Sequence, residues 1–173
     1  YKKDFDWTLQ QVKVLKQSPS LLIANDAIEM FLLIQDNSAE DSLRLALQAY
    51  ATADLKLYQN KKEEALQLFL AILQKHKGES IEEGTLFKVG KIYEEKGDFY
   101  KAFTYYQNIL DNHKDGIYKD EALYFSAEIY RKHLLENEKA KALYEKVVLE
   151  HPDSLYYTES RKQYRTLRGD STI

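Results

Sequence analysis

Three pairs of small residues recur at one interval along this chain: Ala53 with Ala65, Gly90 with Ala102, and Ala127 with Ala140. The first members stand 37 apart each time, and the second members 37 and then 38 apart. A fixed period of that length marks an internal repeat. Within each unit the two small positions lie 12, 12 and 13 residues apart, which suits two short helices in a hairpin whose closest approach has room for nothing larger. A stack of such hairpins has no single enclosed core, so function is to be sought on its surface.

Composition agrees with helices. The 173 residues are 44% hydrophobic but include only two Pro and six Gly, too few for a loop-rich or β architecture. A net charge of −3 gives no overall field to attract nucleic acid or anionic lipid, and neither is expected as a partner. With no cysteine there is no disulfide framework, thiolate nucleophile or cysteine-ligated zinc. The most apolar run, Leu21 to Ile34, is interrupted by Asn25, Asp26 and Glu29, so it reads as an amphipathic helix and no direct membrane insertion is expected from this segment. The chain starts at Tyr1 without a basic and then apolar leader, which leaves any targeting segment outside it.

The middle unit is the clearest. Apolar residues at 86, 89 and 93, and again at 99, 102, 103, 106, 109 and 110, keep the three-and-four spacing of amphipathic helices. Between them Gly97 reads as a helix stop and Asp98 as the cap of the next helix. This pattern resembles the tetratricopeptide repeat: a large, small, aromatic first helix (Leu86, Gly90, Tyr93), a Gly97-Asp98-Phe99 turn and a second-helix Ala102. The next unit matches with one extra residue in its turn, through Leu123, Ala127, Tyr130, Ala140, Tyr144, Val147 and a closing Pro152. The preceding unit supplies Ala53, Ala65, Phe69 and Ile72 but has Lys56 where the family prefers an aromatic and Asn60-Lys61-Lys62 where it prefers Gly-Asp-aromatic.

The resemblance implies an all-α, right-handed α-solenoid of tetratricopeptide-type hairpins with a C-terminal capping helix. Three repeats are expected over 42–152, at 42–78, 83–116 and 119–152, forming one continuous solenoid with the segments that flank them. Residues 1–41 read as a truncated half-repeat plus an unassigned helix, because Lys3-Asp4-Phe5 followed by Thr8, Val12 and Leu15 has the spacing of Gly97-Asp98-Phe99, Ala102, Tyr106 and Ile109, whereas the helix over 20–36 takes no repeat position. Residues 153–173 read as the capping helix and tail: Asp153 or Ser154 caps, Leu155, Tyr156, Ser160, Tyr164 and Leu167 face inward, and Gly169 ends it. Its other face carries Arg161, Lys162, Arg165 and Arg168, a solvated cap or a site for an anionic partner. The lengthened period, the His151-Pro152-Asp153-Ser154 stretch and the basic last helix look like the tetratricopeptide proteins of the bacterial cell envelope, such as the TolA-binding coordinator and the outer-membrane assembly lipoproteins. That likeness points to the periplasm or cell envelope.

Catalytic chemistry finds no footing in the sequence. His76, His113 and His151 are spaced 37 and 38 apart, and equal repeat phase places them on successive hairpins about 8–10 Å or more apart, too far to share one ion. Each falls at the end of a second helix, where a His can donate to free carbonyls. The pairs Glu63-Glu64 and Glu82-Glu83 fall in first turns, where acids complement the helix dipole, and neighbours on a helix such as Glu94-Glu95 point apart. No phosphate loop, HExxH, EF-hand or Gly-x-Ser-x-Gly elbow occurs. Arg168-Gly169-Asp170 spells a tripeptide that the helix stop at Gly169 accounts for. The chain reads as a non-enzyme with no cofactor or metal site.

In the family the first helices line a concave groove, with groove-facing residues one after the large and one after the small position. Carried over, the first class is Tyr50, Phe87 and Tyr124 and the second Asp54, Lys91 and Glu128, with Tyr58, Glu95 and Lys132 one turn on. The aromatics either anchor a partner in the groove or pack on one another within the stack. Asn, which clamps a peptide C-terminus in some relatives, is missing from these positions. A protein or peptide segment with apolar anchors and mixed charge is the expected partner. The second expectation is a structural spacer or self-association module, because the apolar stripe of the 20–36 helix is broader than one packing face needs.

Overall fold

The computed structural model describes residues 4–38, 41–113 and 115–170; Lys3 of the first turn motif and the tail beyond Asp170 lie outside the described residues. Among these, the order is α1 (Phe5–Leu15), α2 (Leu21–Asp36), α3 (Asp41–Tyr58), α4 (Lys62–Lys75), α5 (Ile81–Glu95), α6 (Phe99–Asn112), α7 (Lys119–Ile129), a π-helical turn (Tyr130–Leu134), α8 (Asn137–Glu150) and α9 (Tyr157–Arg168). The fold class is the all-α one of helical-hairpin repeats. The chain divides into two compact units, residues 1–92 and 93–173.

The small residues sit where hairpin packing needs them. Ala53, Ala65, Ala102, Ala127 and Ala140 are fully buried, and Gly90 is buried with them. In the first unit α3 packs on α4, and α1 on α2. α2, left without a repeat position by the sequence pattern, carries Ala27, Phe31 and Ile34, each 38 residues before Ala65, Phe69 and Ile72. Ala27 and Ile34 are its buried residues. α2 thus holds the second-helix phase, and α1 is its hairpin partner rather than a second helix standing alone. Asp4 still caps α1 as Asp98 caps α6: each carboxylate accepts the N–H three residues on, from Trp7 at 3.1 Å and Lys101 at 3.2 Å.

The turns repeat as well. Asn60, Gly97 and Leu135 have φ of 59°, 77° and 55°, and stand 37 and 38 apart. Each is the left-handed residue that ends a first helix and starts the return. Only Gly97 adopts this backbone without a steric penalty. The third hairpin absorbs its one extra residue in the π-helical turn, which widens the end of α7 by one residue before Leu135 reverses the chain.

In the second unit α7 packs on α6 and on α8, and α8 on α9. Its centre is Ala127, Ala140 and Tyr144, with Tyr124, Tyr130, Leu143, Tyr164 and Leu167 packed around them. α9 places the fully buried Ser160 in the small-residue phase, 33 after Ala127, and ends at Gly169 with φ 88°. It starts at Tyr157, later than a cap at Asp153 or Ser154 would give. Ser154 instead closes a turn, its Oγ accepting the N–H of Tyr156 at 3.0 Å, and Leu155 is left partly exposed. His76, His113 and His151 occupy the C-cap positions of α4, α6 and α8, and it is their backbone N–H groups that reach the carbonyls four residues back. The His76 ring pairs with Glu79 at 3.0 Å.

Candidate functional site

The nine groove positions divide between the units. In the first, Tyr50 is 4% exposed and meets Phe69 edge-on with ring centroids 5.3 Å apart, so its ring is taken up by hairpin packing. Asp54 pairs with Lys88 at 3.4 Å. Phe87 and Lys91 are half-buried, and Tyr58 stands 78% exposed at the end of α3. In the second unit Glu95 is exposed at the end of α5, while Tyr124, Glu128 and Lys132 come together on α7 and the π-helical turn.

Glu128 is the hub of this group. Its side chain is 9% exposed and accepts from Tyr144 Oη, from Lys132 Nζ and from Arg131, whose Nη2 lies 3.1 and 3.3 Å from the two carboxylate oxygens. Arg131 Nε also donates to Tyr144 Oη at 3.2 Å. Burial works to raise the Glu128 pKa, but the hydrogen bonds from Lys132, Tyr144 and Arg131 outweigh it and hold the carboxyl below its ordinary value. Burial, then the bond to Glu128, pushes the Tyr144 phenol up, so at neutral pH the cluster is a carboxylate fixed by two cations and a neutral phenol.

The preceding hairpin has a simpler version. Tyr106, in the phase of Tyr144, donates to Glu94 at 2.8 Å, and Glu94 holds the phase of Arg131. In the first unit the same phase is Phe69, which has no hydroxyl. Among the described residues the tyrosine lock is thus seen in the two later hairpins, whereas the α3–α4 hairpin is bridged near its turn by Lys56 and Glu64 at 2.6 Å.

Beside the lock lies a pocket of about 180 Å³, lined by Glu94, Tyr124, Phe125, Glu128, Ile129, Lys132 and His133. Tyr124 stacks on Tyr156 with centroids 4.4 Å apart, and burial followed by the nearby Glu128 and Glu159 carboxylates raises its pKa to about 12. Phe125 meets Tyr156 edge-on at 5.4 Å. The His133 ring stacks on Phe99, a position it reaches from the π-helical turn. The lining therefore mixes the apolar Phe125 and Ile129 with the Tyr124 ring, the Glu94 and Glu128 carboxylates, and Lys132 and His133. Of the residues around the pocket and lock, Tyr124, Glu128 and Lys132 are groove positions expected from the sequence, whereas Phe125, Arg131, Tyr144 and His133 are not among them. Two signals were available for these: the 38-residue phase shared by Tyr106 and Tyr144, and the 13-residue spacing that forces the π-helical turn. Among the described residues no group of three or more His, Asp or Glu side chains converges to hold an ion.

Hairpins closed on paired small residues, with a first-helix face bearing the variable polar groups, define a helical repeat of the interaction type. Residues 85–116 and 121–154 each match the family model of the tetratricopeptide repeat, so these two hairpins carry that family's repeat. Its fold is like that of a tetratricopeptide repeat protein from Parabacteroides merdae, with a TM-score of 0.59 and 19% sequence identity. The likeness takes in 95% of this chain and 60% of the other. No curated protein matches the chain. Repeats of this family generally mediate protein–protein interaction, and no helix among the described residues is long and apolar enough to cross a membrane.

Proposed function

We propose that the chain is a non-catalytic scaffold that grips an extended or helical segment of another protein on the first-helix face of its second unit. The pocket of about 180 Å³ carries this reading, because it suits one large side chain of a partner and sits beside charges that fix register. Phe125 and Ile129 form the apolar seat. Lys132, about half exposed, places its ammonium at the rim, where it is paired with the Glu128 carboxylate. Of the aromatic ladder, Tyr124 and Phe87 keep partial exposure, and Tyr50 serves packing instead.

A peptide-display selection against the chain tests this reading. Enriched peptides should carry one bulky apolar residue flanked by charge, and Phe125→Ala or Lys132→Glu should weaken them about tenfold or more. Peptides insensitive to both variants, each shown by circular dichroism to be folded, would refute the site.

A further inference from the structure

The turns of the three hairpins from α3 to α8 are closed by one kind of bond across unequal lengths of chain. The N–H groups of Lys61, Asp98 and Glu136 donate to the carbonyls of Lys56, Tyr93 and Tyr130, which lie five, five and six residues back. The left-handed residue, at Asn60, Gly97 and Leu135, follows the first small residue by 7, 7 and 8 positions and precedes the second by 5 each time. The extra residue of the third hairpin therefore falls between Tyr130 and Leu135. Neither the helix crossing nor the entry to α8 requires it, since the other two hairpins close without it.

What the extra residue changes is the direction of His133. Glu128 bonds Arg131 and Lys132 at spacings of three and four, which an α-helix already brings onto one face, so the lock does not depend on the π-helical turn. His133 stands five after Glu128, and on an α-helix residues five apart point about 140° apart. In the π-helical turn the Leu135 N–H reaches back five residues to the Tyr130 carbonyl, and His133 lines the same pocket as Glu128. Its ring lies on that of Phe99 with centroids 3.5 Å apart and planes 11° from parallel.

We propose that the one-residue insertion is a positioning device for partner recognition: it sets His133 on Phe99 as one side of the pocket, and a hairpin without it keeps its fold and its lock but loses the site. This rests on reading the pocket as the seat of a partner's side chain. It adds His133 as a specificity-determining residue, because the ring fixed over Phe99 bounds the space open to that side chain.

Deleting Leu134 gives the third hairpin the spacing of the other two and moves His133 to the place that Gln59 and Lys96 hold before Asn60 and Gly97. By NMR, the His133 ring protons of the parent chain should be displaced upfield by the Phe99 ring current. The deletion should abolish that displacement while the melting temperature moves by no more than a few degrees. Display-selected peptides should bind the deletion variant about tenfold or more weakly, and His133→Ala should weaken them to a similar extent. A displacement that survives the deletion, or peptides held as tightly by either variant as by the parent, would overturn the proposal. So would unfolding of the deletion variant both as such and with Leu135→Gly, which relieves the left-handed position of its steric penalty. The ring displacement is read without a peptide, so the two readings fail separately: peptides indifferent to Phe125→Ala refute the partner site, and a surviving displacement refutes the role of the insertion.

Discussion

The two regions of this chain that leave apolar side chains open are built on opposite principles. The face of α7 is a small pocket with polar groups held by a buried lock, and nearly every charged atom near it already has a partner within the second unit. The α1–α2 hairpin instead leaves Trp7, Val14, Leu21 and Leu22 more than half exposed, interspersed with charged residues such as Asp6, Lys13 and Asp26. The first is suited to discriminate between segments, since its geometry is fixed before anything binds. The second is suited to be covered, since apolar area favours burial without specifying much. One repeat plan yields both, because it fixes only the small residues at the helix crossing and leaves the outward positions to vary.

The largest effect expected from breaking this comparison is at the crossing itself. Ala127→Leu should cost about 3 kcal/mol, because the site is fully buried among Ala140 and Tyr144. Ala27→Leu, in the corresponding crossing of the first hairpin, should cost about 1 kcal/mol, since α2 has open surface on which to shift. Urea melts of the two variants would sharpen the contrast, and equal costs would erase it.

Next comes the lock. Glu128→Gln should destabilise the second unit by about 2 kcal/mol, leaving Arg131 and Tyr144 with a weaker acceptor. The same group sets a pH dependence. Its folded pKa is depressed below the ordinary 4.5, so its stabilisation is complete above that value and is lost as pH falls through the folded pKa. Melts of the Gln variant should therefore lose less stability between about pH 5 and 3 than the parent chain does. Tyr144→Phe should cost about 1 kcal/mol by removing one donor from the same carboxylate.

The smallest effect has the opposite sign. Leu135 holds a left-handed backbone that Gly97 holds freely one repeat earlier, so Leu135→Gly should stabilise the fold slightly, by about 0.5–1 kcal/mol after glycine's own entropy cost, read as a small rise in melting temperature. A loss of stability there would mean that the leucine side chain, 77% exposed, packs usefully after all.

The parts of the fold that were legible in the sequence are the parts that repeat. The small pairs, the Gly97-Asp98 turn and the later repeats were readable because period and spacing depend on backbone geometry alone. The α2 phase was hidden because α1 has Leu15 where the 38-residue offset calls for a small residue, so no small pair marked this hairpin. Tyr50 shows the limit for sites. An aromatic one position past the large residue is equally able to face a groove or to meet Phe69, and only the neighbouring ring decides between them. His133 was illegible for a related reason: it lies within the π-helical turn, and spacing alone does not say which way that turn aims its side chains.

The most direct test is residue-resolved hydrogen exchange or amide NMR on the chain at two concentrations, with and without a peptide from the display selection. The peptide should protect α7 and the π-helical turn around Tyr124, Phe125, Ile129 and Lys132 at either concentration. Peptide protection falling on α1 and α2, with α7 unchanged, would contradict the assignment of the partner site to α7.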